Sequence, residues 1–208
     1  MGQAQATMPG STAALSPRAL ALVRSAYRVM TQQGGHRLSL QDVADEAGVS
    51  KGMVLYYFKT KENLYLTVMR WALERTEARI RKGVGAADDP REAIAALVDA
   101  VFVGPEQNRD FYLLYLDLVE HAARVPSFGQ LSVVAFGIIN GLYEEVVRDG
   151  VARGGFAVDD PAAAAAAMRA LIEGTFLSWL QRDDWKASHG AFKALCQQNL
   201  LRLLGVAA

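Results

Sequence analysis

The chain has 208 residues, 51% of them hydrophobic, with 22 basic and 22 acidic side chains. Zero net charge excludes a uniformly basic nucleic-acid coat, and a lone cysteine, Cys196, excludes an intrachain disulfide and fits a reducing cytoplasm. No basic start leads into an apolar run, and no apolar stretch reaches the length of about 18 residues that a membrane span needs, so a soluble, cytoplasmic protein is expected.

Residues 1–16 carry no charge and are rich in Ala, Gly, Ser, Thr and Gln, which predicts a disordered arm. Ser16-Pro17 then reads as a helix cap followed by proline at the first helical position. Leu20, Val23, Tyr27 and Met30 recur at helical spacing until Gly34-Gly35 ends the segment. Ser39, with Asp42 three residues on, opens a second helix as an approximate capping box. Leu40, Val43, Ala44 and Ala47 form its buried stripe, and Gly48 stops it. Ser50 caps a third helix with Val54 and Phe58 facing inward, and Thr60 opens a fourth running from Lys61 to about Lys82. Asp88-Asp89-Pro90 and Asp159-Asp160-Pro161 are two more cap-and-proline starts; paired carboxylates before proline are read as caps rather than metal ligands. Further helices are expected over 90–103, 107–123, 127–152, 161–183 and 187–204, with no alternating strand pattern, so the fold class is all-α.

The neutral total hides an asymmetry. Residues 1–66 hold seven Lys or Arg against four acids, leaving a basic front end and an acidic remainder. Within that front end, Gly48-Val49-Ser50 separates two short helices by the length and chemistry of a helix-turn-helix turn. Gly48 suits the left-handed conformation, Val49 fills the angle between the helices, and Ser50 caps the second. With Val54 and Phe58 inward, Lys51, Gly52, Leu55 and Tyr56 lie on the outer face. Lys51 offers a charged donor to a guanine edge or a phosphate, Gly52 lets the helix approach the bases, and Tyr56 offers a hydroxyl and a ring. Lys59 and Lys61, at the start of the next helix, are placed for phosphates.

Gly48-Val49-Ser50-Lys51-Gly52, followed by Tyr56-Tyr57-Phe58-Lys59-Thr60-Lys61-Glu62-Asn63-Leu64, closely resembles the recognition-helix region of the TetR (tetracycline-repressor-like) family. The likeness is strong from Leu20 to Leu66. It continues weakly at Gly155-Phe156, Asp160-Pro161 and Ala170-Leu171-Ile172-Glu173-Gly174. The resemblance implies base-proximal roles for Lys51, Gly52 and Tyr56 and phosphate contacts for Ser39, Tyr57 and Lys61. Leu55 departs from it, because the family usually places a tyrosine there. It also implies a helix-turn-helix domain over 17–66 joined to a larger helical effector-binding and dimerisation domain over 67–208. The partners would be an inverted-repeat DNA operator, a second copy of the chain, and a small effector that releases the operator.

Abundant aromatics in the body point to an apolar or aromatic effector, with Phe102, Tyr112, Tyr115, Phe136, Tyr143 and Phe176 as candidate contacts and His121 and Asn140 as polar ones. The last two helices are expected to form the dimer through the small residues of 162–167, Ala166 among them, with Leu171, Trp179, Leu180, Leu200 and Leu204 supplying bulk. No His-Glu-x-x-His pair, no Cys/His cluster and no phosphate-cradling glycine loop occurs, and His36, His121 and His189 are far apart. The expectation is therefore no catalytic residue, metal or cofactor. An all-helical enzyme or a protein adaptor is the alternative, and a gel shift separates it from a regulator.

Overall fold

A computed structural model describes residues 11–35 and 38–206, with only the backbone described over 126–136. The described residues are all-α: α1 Pro17–Gln33, α2 Leu40–Ala47, α3 Lys51–Phe58, α4 Lys61–Val84, α5 Pro90–Val101, α6 Pro105–Arg124, α7 Pro126–Ala152, α8 Pro161–Leu180 and α9 Trp185–Leu203. Proline stands first in five of them, where its missing N–H is not needed and its fixed φ suits the helix. The caps expected at the helix starts are present. Oγ of Ser16 accepts from the N–H of Ala19 at 3.2 Å, and the carboxylates of Asp89 and Asp160 accept from the first turns of α5 and α8. Among the described residues, no helix is long and apolar enough to cross a membrane.

The arm expected over 1–16 is corrected for its second part; residues 1–10 lie outside the described residues. Thr12–Ala14 form a single 3₁₀ turn, and Thr12 is buried. Its backbone N–H donates to Glu74 at 3.1 Å, and its hydroxyl donates to the same carboxylate. Burial alone would raise the Glu74 carboxyl, but these bonds and Arg70 hold it below its usual range. Composition could not show this, because the acceptor lies 62 positions away.

The chain divides into two compact units. One comprises the chain through Glu74 with Asp110–Ala135, and the other comprises Arg75–Arg109 with the chain from Phe136 onward. The expected division at 66/67 falls inside α4, and α4, α6 and α7 each run through both units. The first unit is centred on Leu22, Val23, Met30, Val43, Val54 and Leu64, all at most 1% exposed. In the second, α9 packs on α5 and α8. The ring of Phe102 stacks on Phe176 with centroids 4.2 Å apart, and Trp179 meets Phe176 edge-on. The Trp179 indole N–H donates to the carbonyl of Trp185, and Nε2 of His189 donates to Oδ1 of Asn108 at 2.8 Å. Cys196 is fully buried in this unit, and burial pushes its thiol up to about 11.

Candidate nucleic-acid interface

The α2–α3 pair starts at a complete capping box. Oγ of Ser39 accepts from the Asp42 N–H at 3.1 Å, and the Asp42 carboxylate accepts from the Ser39 N–H at 3.2 Å. Val43 and Ala44 then fix α2 on α1. Gly48 ends α2 at φ 64° and ψ 38°, the left-handed region that glycine enters without steric penalty. Val49 donates back to the carbonyl of Ala44 at 2.9 Å and is half-buried in the turn. Ser50 caps α3 by accepting from the Met53 N–H at 3.3 Å. Val54 and Phe58, 0% and 5% exposed, anchor α3 from below.

On the opposite face, Lys51 and Gly52 are exposed, Leu55 is 38% exposed and Tyr56 is 70% exposed. A Cβ on Gly52 would meet nothing nearer than Oγ of Ser50 at 3.8 Å, so the helix surface is bare there. Tyr57 is half-buried and meets Tyr56 edge-on with centroids 5.2 Å apart. Lys59 has the one positive φ among the described non-glycine residues, 65°, and the Thr60 N–H donates to the Phe58 carbonyl across it at 2.7 Å. This is a γ-turn of the rare, strained hand. It brings Nζ of Lys59 to 5.1 Å from the centre of the Tyr56 ring. Ser39 and Lys61 are half-buried, and Lys61 also lines a cleft in this unit. Sequence reasoning missed one cation: Arg18, in the first turn of α1, donates from Nε to Sδ of Met53 at 3.2 Å and so flanks α3. A contact across 35 positions leaves no local signal.

A charged, aromatic and sterically open face on a short helix behind a glycine turn is what major-groove entry requires. Two family models match this chain: "Bacterial regulatory proteins, tetR family" over residues 22–68 and "BetI-type transcriptional repressor, C-terminal" over residues 90–205, the second covering more than half of the chain. The chain belongs to the TetR family.

Curated relatives of this TetR regulator include the transcriptional regulator BetI of Brucella anthropi, 30% identical over 49% of this chain and 52% of the relative. Another is the transcriptional activator FasR of Mycolicibacterium smegmatis, 25% identical over 62% of this chain and 58% of the relative. The matches thus span little more than half the length of these relatives. Among solved structures, a transcriptional regulator of Saccharomonospora viridis in complex with choline superimposes with a TM-score of 0.76 at 21% identity, over 90% of this chain and 97% of that one. The fatty acid degradation regulator FadR of Bacillus halodurans gives 0.74 at 20% identity, over 88% and 96%. At such identities these structures bear on the fold alone.

The eight side chains expected at an effector site fall in different places. Phe102 and Phe176 are brought together in the second unit, where both are buried. Tyr143 is buried there too; burial, reinforced by Cys196 and Glu173, raises its hydroxyl well above the usual tyrosine range. Asn140 is half-buried with its oxygen 3.5 Å from Nη1 of Arg169, which pairs with Glu173 at 2.6 Å. Tyr112 and Tyr115 pack edge-on in the first unit, and His121 is exposed on the cleft that Lys61 lines. The side chain of Phe136 lies outside the described residues. Among the described residues, no group of three or more His, Cys, Asp or Glu could hold a metal ion.

Three of the expected dimer contacts, Trp179, Leu200 and Leu204, are 0% exposed within a single chain and pack in its core. Leu171 and Leu180 are half-buried, and Ala166 is exposed. Of the two sets expected together on α8, the bulky Trp179 and Phe176 face inward with Ala164 and Ala165, while Ala162 and Ala166 face outward. The outward stripe runs through Ala162, Ala166, Ala170, Gly174 and Leu177, the last 39% exposed, and Leu195 on α9 is 46% exposed.

Proposed function

We propose that this TetR regulator is a repressor that binds an inverted-repeat operator as a homodimer and lets go when a small apolar or aromatic effector binds. The observation that carries the DNA reading is α3 itself, anchored by Val54 and Phe58 while it offers Lys51, Gly52, Leu55 and Tyr56 to solvent. One such helix reads only a few base pairs. Two, related by a two-fold axis, read half-sites about 34 Å apart or multiples of that. The exposed small-residue stripe of α8, with Leu177 and Leu195, supports self-association by a four-helix contact, since helices without bulk approach closely. Repression draws support from the BetI-type repressor model over residues 90–205.

The effector acts by binding the operator-incompetent arrangement more tightly than the competent one. The buried aromatics of the second unit suit an apolar or aromatic compound. A quaternary ammonium is a second reading: the Saccharomonospora viridis structure holds choline, and such cations are taken up by aromatic faces.

Fluorescence anisotropy with DNA from upstream of the chain's own gene tests the reading. Lys51→Ala should narrow the gap between operator and unrelated DNA by about 1–3 kcal/mol. Lys61→Ala should weaken both alike and reduce the slope of log K against log salt by about 1. No salt-sensitive binding to any upstream fragment, or identical effects of the two substitutions, refutes these assignments. Adding choline to the operator complex separates the two effector readings.

A further inference from the structure

The loop between α1 and α2 is fastened to α6. The Gly35 backbone N–H donates to Oδ2 of Asp117 at 2.8 Å, across 82 positions of sequence. Gly35 is buried, and a Cβ on it would stand 2.5 Å from Cε2 of Tyr65, so glycine alone lets the loop come in this far. The Tyr65 hydroxyl, from α4, donates to the carbonyl of Leu114, three residues before Asp117, at 2.9 Å. Loop, α4 and α6 thus converge on two hydrogen bonds inside the first unit.

Both sides of this clasp have consequences. On the loop side, Leu38 is 2% exposed and Ser39 is the cap of α2, so the position of Gly35 sets where the α2–α3 pair begins. On the α6 side, Asp117 lines a cleft of about 210 Å³ together with Gly35 and Tyr65, and with Lys61, Glu120 and His121 beyond them. The bond from a backbone N–H to an ionised carboxylate is of the stronger, charge-assisted kind.

We infer that Asp117 is a positioning residue for DNA recognition: by holding the Gly35 N–H it sets, from α6, where the α2–α3 pair stands. The inference rests on the regulator reading above. It adds a named contact, away from the DNA-facing side chains, on which operator affinity depends.

The test uses the full chain with Asp117→Ala, Asp117→Asn and Tyr65→Phe. Hydrogen exchange of the Gly35 amide and affinity for the upstream DNA are measured below the melting range of each variant. Asp117→Ala should speed Gly35 exchange and weaken DNA binding, each by about tenfold, the scale of one lost hydrogen bond. Asp117→Asn keeps an oxygen acceptor and should restore both to within about threefold of the parent. Tyr65→Phe, which keeps the ring against Gly35, should speed exchange by a smaller factor and serves if Asp117→Ala does not fold. The inference is overturned if Asp117→Ala leaves Gly35 exchange and DNA affinity at parent values, if Asp117→Asn behaves like alanine, or if only the melting temperature falls. Failure of the parent protein to bind any upstream fragment would instead overturn the regulator reading, and Gly35 exchange in the variants would still decide whether the clasp exists.

Discussion

Replacing Lys59 with glycine should make the protein more stable and a poorer DNA binder. Lys59 sits at φ 65° and ψ −47°, a region that an L side chain enters only under strain. Such residues carry about 1–3 kcal/mol of strain, which glycine would relieve, while the extra freedom of glycine in the unfolded chain offsets about 0.4–1 kcal/mol. Losing the contact of the Lys59 ammonium with the Tyr56 ring costs about 0.5–1 kcal/mol more, so the net gain is about 0.5 kcal/mol, or a rise of about 1–2 °C in melting temperature for a chain of this size. The same substitution removes the ammonium 5.1 Å from the Tyr56 ring centre, a charge on the side proposed to face DNA. One phosphate contact fewer should weaken binding about fivefold near physiological salt, with a shallower salt slope. Thermal unfolding followed by circular dichroism, and anisotropy on the upstream fragment, read the two effects. A lower melting temperature would show that the γ-turn is not strained, and unchanged DNA binding would show that Lys59 has no part in the interface.

Two other perturbations test the body. Leu195→Asp places a charge on the exposed face of α9 and should weaken self-association at least tenfold, about 1.4 kcal/mol, with a matching loss of operator affinity; sedimentation that still shows a full dimer refutes the proposed face. His189 is held below the ordinary histidine pKa by burial first and by Lys193 second, with Glu106 opposing, while Asn108, Phe102 and Trp179 surround its ring. The unfolded chain therefore takes up a proton below about pH 6.5 that the folded chain refuses. Stability should fall as pH drops through that value and level off once the folded histidine also protonates. His189→Gln should flatten the profile, as measured by urea unfolding from pH 5 to 8, and an unchanged profile would rule out His189 as its source.

The elements of this fold are legible because their boundaries are written locally. Ser16-Pro17, Asp89-Pro90 and Asp160-Pro161 each place a cap and a helix-compatible proline side by side, and the structure starts α1, α5 and α8 at those prolines. The α2–α3 pair is legible for the same reason: Ser39, Gly48 and Ser50 each act within three to five residues of themselves. What joins distant stretches is not. Arg18 beside Met53, Thr12 on Glu74 and Gly35 on Asp117 are made by chain segments 35 to 82 positions apart, and no periodicity announces them. Which apolar side chains of α8 face inward was not legible, because apolar bulk at helical spacing looks the same whether it meets its own core or another molecule. Only burial distinguishes Trp179, at 0%, from Leu177, at 39%.

The state of Cys196 opens a practical route to the spacing of the two α3 helices in the proposed dimer. A thiol with no exposed surface and a pKa near 11 stays almost wholly protonated at pH 8, so maleimides and methanethiosulfonates pass it by. A reporter cysteine introduced at exposed Gly52 could then carry a nitroxide or a fluorophore without the native thiol being removed. Interspin distances, taken before and after a candidate compound is added, would turn that inert sulfur into the silent background of a molecular ruler.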